Sequence, residues 1–192
     1  LSDGCSSSLD SDVGARLLSH IAKGVILYLH DRNIWGIEAY SSIFRELVLR
    51  KCIEVRQSLG ISVDAFDATL LIAVTKNGQC LNIGWGDGYF IQVRDSGIMY
   101  VTEIKYESGA PYYISYEMLS SKKEKYMVNS GTDSIIKYHN YTVQPDGDLI
   151  STFVEEKTLI CNHSFTHEFD TEGYNFMVLS SDGIDSYRDD PK

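Results

Sequence analysis

Apolar residues in the first third of the chain recur at three- and four-residue steps. Val13, Leu17, Leu18, Ile21, Val25 and Leu29 follow this spacing from Ser11 to about Leu29. It predicts an amphipathic helix with Asp10 or Ser11 as its N-cap. A second such stretch runs from about Ile37 to Leu59. There Ile37, Tyr40, Phe44, Leu47, Val48, Cys52 and Val55 share one side, while Arg45, Glu46, Arg50, Lys51 and Arg56 mostly face outward. Gly60 follows as a C-terminal cap. Beyond it the pattern becomes that of strands: Thr69 to Lys76, Cys80 to Trp85, Tyr89 to Arg94 and Ile98 to Tyr106, with turns at Asn77-Gly78 and Asp95-Ser96-Gly97. These predict a meander of antiparallel hairpins. Phe176-Met177-Val178-Leu179 reads as a further, buried strand. Helices grouped before a run of hairpins imply an α+β layered fold rather than alternating βαβ units.

The pattern is weaker from Glu107 to about Thr158, a stretch read as a variable flap or lid. Its tyrosine-dense segment, Gly109-Ala110-Pro111-Tyr112-Tyr113-Ile114-Ser115-Tyr116, is equally compatible with a half-buried strand. Ser120 to Lys125 is polar, and Lys122, Lys123 and Lys125, interrupted by Glu124, read as a solvated loop. Gln144-Pro145-Asp146-Gly147-Asp148 reads as a turn; its acids lack the spacing of a calcium loop.

Composition narrows the classes. The chain has 192 residues, 43% of them hydrophobic, enough for one ordinary globular domain with a core on packed sheets. A net charge of −10 without a Lys/Arg-rich face disfavours nucleic acid and an anionic membrane as partners. Cys5, Cys52, Cys80 and Cys161 show no Cys-x-x-Cys spacing, and no signal peptide or apolar stretch of spanning length is present, which implies a reduced, cytoplasmic protein. The five histidines show no zinc-site spacing with an intervening Glu and read as surface or core residues.

Candidate chemistry lies in two Asp-Gly dipeptides, Asp3-Gly4 near the start and Asp182-Gly183 near the end. Each puts a carboxylate at a strand-to-turn junction. Alone, Asp-Gly is a common turn signal; two carboxylates facing one ion would suit a hard cation, Mg²⁺ or Mn²⁺, rather than zinc. The surrounding text adds more. Asp3-Gly4-Cys5 with the helix after it, Asp67-Ala68-Thr69-Leu70-Leu71, Asn82-Ile83-Gly84-Trp85-Gly86-Asp87-Gly88 and Leu179-Ser180-Ser181-Asp182-Gly183 stand in the order of four motifs. They resemble those of the metal-dependent type 2C (PPM) serine/threonine protein phosphatases, especially the bacterial branch. The resemblance spans almost the whole chain.

That resemblance implies a four-layer α-β-β-α sandwich with two central antiparallel sheets, as a single catalytic domain over residues 1–192. It implies hydrolysis of phosphoserine and phosphothreonine in proteins by a water held between two Mg²⁺ or Mn²⁺ ions. By position, Asp3 matches the carboxylate bridging both ions, Gly4 the backbone carbonyl ligand of one, and Asp182 a ligand of the other. Asp3 and Asp182 are the catalytic candidates. Asp87 matches a residue that helps hold a third ion in some relatives, and Asp185 is a further metal candidate, one residue earlier than the usual acid. Implied partners are a phosphorylated protein substrate and a cognate Ser/Thr kinase. The chain departs from the pattern in places. Cys5 stands where a His general acid is common, and Ser6 and Ser7, read mainly as helix-capping residues, stand where glycines are. The upstream phosphate-binding Arg, its neighbouring acid and the final Asp-Asn motif have no counterpart. These departures keep open an alternative: a catalytically inactive module that binds a phosphoprotein or kinase.

Overall fold

Both apolar stripes form helices, α1 over Ser11–Asp31 and α2 over Ile37–Leu59. The computed structural model describes residues 1–106, 108–130, 133–143, 149–160 and 164–183. Gly60 caps α2, its N–H donating to the Arg56 carbonyl at 2.9 Å. At the start of α1, Asp10 occupies the N-cap position, but its side chain caps nothing. The Ser11 hydroxyl instead donates to the Cys5 carbonyl at 2.6 Å, folding the preceding loop back over the helix start.

The predicted hairpin strands appear as β2 (Ala68–Lys76), β3 (Gln79–Trp85), β4 (Gly88–Arg94) and β5 (Ile98–Tyr106), joined by the short strand β1 (Ser2–Gly4) before them. They do not form one meander. After β3 the chain crosses from one sheet to another, because the Trp85–Gly88 connection leaves the first sheet instead of returning along it. With β6 (Asp133–Val143), β7 (Leu149–Ile160), β8 (Phe165–Asp170) and β9 (Tyr174–Ser180), the sheets have the orders β1-β2-β3-β8 and β7-β6-β5-β4-β9. All pairings are antiparallel.

Strand β2 is buried on both faces, which explains its unbroken apolar run. Leu70 and Ile72, with Leu81, Ile83 and Trp85 of β3, meet Leu18, Val25, Leu29, Tyr40, Phe44 and Val48 of the helices. Leu71 points the other way, into a cluster with Phe90, Ile104 and Phe165 between the sheets. The fold is therefore an α+β sandwich of two antiparallel sheets. Among the described residues α1 and α2 form the helical layer, and they pack on the first sheet.

Four further expectations change. The stretch from Glu107 to about Thr158 is not all flap: its second half supplies β6 and β7 of the second sheet. Ser120 to Lys125 is no solvated loop but the start of helix α4 (Ser120–Ser130), which follows the short helix α3 (Ser115–Met118). The Lys122 side chain is only 15% exposed. The tyrosine-rich segment is not a strand: Tyr112 and Tyr126 are buried with rings 5.1 Å apart, and Tyr116 lies 4.7 Å from Tyr126, a cluster that fastens the flap helices to the intersheet core. The Phe176 strand is an edge strand with Phe176 57% exposed, because its alternate residues point out of the sandwich. Asp185, Cys161 and the 144–148 turn lie outside the described residues.

Phe44 is fully buried, stacked at 6.0 Å on Tyr40 and 6.2 Å from the Trp85 ring. Phe44→Ala should lower unfolding stability by about 3–5 kcal/mol, read by urea denaturation.

Candidate active site

The site is assembled where the two sheets exchange the chain. Asp3 on β1 pairs with Thr69 on β2, and the Thr69 hydroxyl donates to Asp87 Oδ1 at 3.3 Å. Asp87 is flanked by Gly86 at φ 82° and Gly88 at φ 139°, backbone angles that side chains disfavour. A Cβ at Gly86 would stand 2.6 Å from Thr69 Oγ1, and one at Gly88 would stand 2.5 Å from the Ser180 carbonyl oxygen. The Gly-Asp-Gly turn is thus wedged between β2 and the end of β9. Asp182 follows two residues after Ser180, and it lines, with Asp87, Glu103 and Tyr106, a cavity of about 190 Å³. In the sequence Glu103 reads as one polar residue in an alternating strand, with no local signal of a site.

Burial pushes the Asp87 carboxyl up to about 6, helped by the negative charges of Asp182 and then Asp3. The Thr69 hydroxyl and backbone hydrogen bonding oppose the shift without cancelling it. Asp3 and Asp182 are exposed. The carboxylates of Asp3 on β1 and Asp182 after β9 therefore both bear on Asp87 in the β3–β4 turn, at one end of the sandwich. Their oxygen-only chemistry, with the Gly4 carbonyl beside them in sequence, suits a hard divalent cation. Among the described residues no three His, Cys, Asp or Glu side chains stand close enough to hold one ion.

Behind Asp3 lies a second polar layer. Burial pushes the half-buried Cys5 thiol up, but hydrogen bonds with Ser7, Ser8 and Tyr113 outweigh it and leave the thiol below its ordinary pKa. Ser7 Oγ stands 3.1 Å from Cys5 Sγ, so Ser7 serves the thiol rather than capping α1. Burial, reinforced by Asp87, Cys5 and Asp182, pushes the Tyr113 hydroxyl up. Tyr113 therefore stays neutral and able to donate beside the carboxylates. Asp67, only 7% exposed, receives hydrogen bonds from Ser8, Ser115 and Lys122. Neither Asp67 nor Tyr113 carries a local sequence signal of a site, since both acquire their neighbours from segments far along the chain.

The four motifs thus occupy connected positions on a two-sheet sandwich. The chain matches the protein phosphatase 2C family over residues 1–192 and belongs to it, which places it among the protein phosphatases, a class of hydrolases. No curated protein and no solved structure matches the chain. Among the described residues no helix is long and apolar enough to cross a membrane.

A raised carboxyl pKa means the folded state holds its proton more tightly than the unfolded one. The Asp87 contribution is present below its ordinary value of 3.8 and is lost as pH rises through about 6. In EDTA, Asp87→Asn should therefore melt above the wild type at pH about 7.5, with the gain gone near pH 4. Differential scanning calorimetry across that range checks it; a gain that persists at the acid end would contradict the assignment.

Proposed function

We propose that the protein hydrolyses phosphoserine and phosphothreonine in other proteins with Mg²⁺ or Mn²⁺ as cofactor. The observation that carries this reading is the convergence of acids from three separate segments: Asp87 and Asp182 line one cavity, and Asp3 pairs with Thr69, whose hydroxyl donates to Asp87. Their negative charge is in excess, which favours capture of a divalent cation. Asp3, the Gly4 carbonyl and Asp182 would hold two ions, with Asp87 helping Asp182 at a third and Asp185 a further candidate ligand. When bound, the ions supply an activated water and positive charge against the phosphate.

The protein's own groups have distinct parts. Asp87, confined by the Gly86 and Gly88 turn, keeps its carboxylate at the junction of the sheets. The neutral Tyr113 hydroxyl is a donor for a phosphoryl oxygen or for the thiol of Cys5, which stands where relatives place a general acid. The free thiols of Cys5, Cys52 and Cys80 support a reducing, cytoplasmic location. The partner is a phosphorylated protein, and a Ser/Thr kinase acting on the same substrate fits the chemistry.

A second reading is an inactive module that binds a phosphoprotein or kinase. Cys5 at the general-acid position favours it.

The test is p-nitrophenyl phosphate hydrolysis with Mn²⁺, with Mg²⁺ and with EDTA. Turnover should require metal, and Asp182→Asn should reduce it by at least about a hundredfold while circular dichroism stays unchanged. A folded wild type without turnover would select the binding module, and full activity in the variant would overturn the placement of Asp182.

A further inference from the structure

We propose that Asp67 is a positioning residue that makes docking of the flap helices and placement of the 5–8 loop a single equilibrium. The inference rests on the phosphatase reading only for its effect on metal affinity.

Asp67 closes the short 3-10 turn Val63–Phe66 and directly precedes β2. One carboxylate oxygen, Oδ2, accepts from the Ser8 hydroxyl at 2.8 Å. The other, Oδ1, accepts from the Ser115 hydroxyl of α3 and from Lys122 Nζ of α4, the latter at 2.5 Å. The Asp67 backbone carbonyl accepts from the Cys5 N–H at 2.8 Å. The next two residues, Ala68 and Thr69, pair with Gly4 and Asp3. A single residue therefore touches both flap helices on one side and the candidate metal loop on the other.

Burial gives this arrangement its force. Lys122 divides its charge between Asp67 and Asp64, which lies 2.7 Å from it. The Lys122 ammonium also lies 5.0 Å from the Tyr116 ring centre. Removing one partner from a buried ion pair leaves an uncompensated charge, which is far more costly than losing an exposed pair. If α3 and α4 lift, Ser115 and Lys122 leave together, and a nearly buried carboxylate retains only Ser8. It then regains solvation by moving toward water, and the Cys5–Ser8 loop, bonded to both its side chain and its carbonyl, moves with it. Tyr113, just before α3, also bonds Cys5, so withdrawal of the flap loosens the loop from two sides.

The experiment is hydrogen exchange on the intact chain for wild type, Lys122→Met, Ser8→Ala and Asp67→Asn, with Mn²⁺ titration by calorimetry. Lys122→Met should accelerate exchange in residues 3–8 about tenfold, and Ser8→Ala should do the same for residues 115–126, while α2 residues 44–52 stay unchanged. Asp67→Asn keeps an acceptor but loses the charge, and should loosen both segments at once. In Lys122→Met the Mn²⁺ dissociation constant should rise about five- to tenfold, with kcat at saturating Mn²⁺ within about twofold of wild type. Exchange in residues 3–8 that stays within about twofold of wild type in Lys122→Met overturns the proposal. Should the wild type take no Mn²⁺, the phosphatase reading fails, and the exchange comparison still decides the coupling.

Discussion

The structure depends on bringing a carboxylate to the place where two sheets exchange the chain. Asp87 sits in a turn that neither neighbouring strand would accept with side chains at its flanks, since a Cβ at Gly86 would press on Thr69 and one at Gly88 on the Ser180 carbonyl. The absence of a Cβ at both positions lets the turn lie close against Thr69 of the first sheet, which pairs with Asp3, and against the end of β9, after which Asp182 follows. The Gly-Asp-Gly turn therefore does two things with one backbone path: it transfers the chain between layers and it seats Asp87 between β2 and the end of β9.

The hydrophobic core makes that crowding sustainable. β2 is buried on both faces, with Leu70 and Ile72 held by the helices and Leu71 held between the sheets. Acids placed near one another in a poorly anchored loop would separate. Here repulsion cannot move Asp3 or Asp87 far, because β1 is paired to β2 and Thr69 is held inside both. Burial first, and then the charges of Asp182 and Asp3, appear instead as a raised proton affinity at Asp87.

Much of this was legible in the chain. Apolar periodicity located both long helices and the four hairpin strands, because burial on one face leaves a repeating trace in composition. The order of Asp3, Asp87 and Asp182 was legible through the resemblance of the residues around them to the family's motifs, not through the turn signals, which are common. What the chain did not reveal were consequences of long-range contact. The sheet change after Trp85 uses glycines that look like any hairpin turn. Lys122 looks solvated because its neighbours in sequence are charged, yet its ion pairs are with Asp64 and Asp67, more than fifty residues away. Asp67 reads as the polar start of a strand, and only the fold brings Ser8, Ser115 and Lys122 to it. Phe176 illustrates the converse: an apolar residue in a strand is not thereby buried when the strand is the sheet's edge.

Asp67 and Asp87 together show how one residue type is given two fates. Asp67 is buried and Asp87 partly buried, and both lie beside β2. Asp67 is supplied with a lysine and two hydroxyls, so its charge is satisfied within the protein and its role is to hold segments together. Asp87 has a weak hydroxyl contact and, for neighbours, the charges of Asp182 and Asp3, both negative. A buried acid whose cation comes from the chain is a structural tie. The other acid's surroundings add negative charge, so the chain leaves its charge largely uncompensated, and it is this difference that separates Asp87 in the candidate site from Asp67.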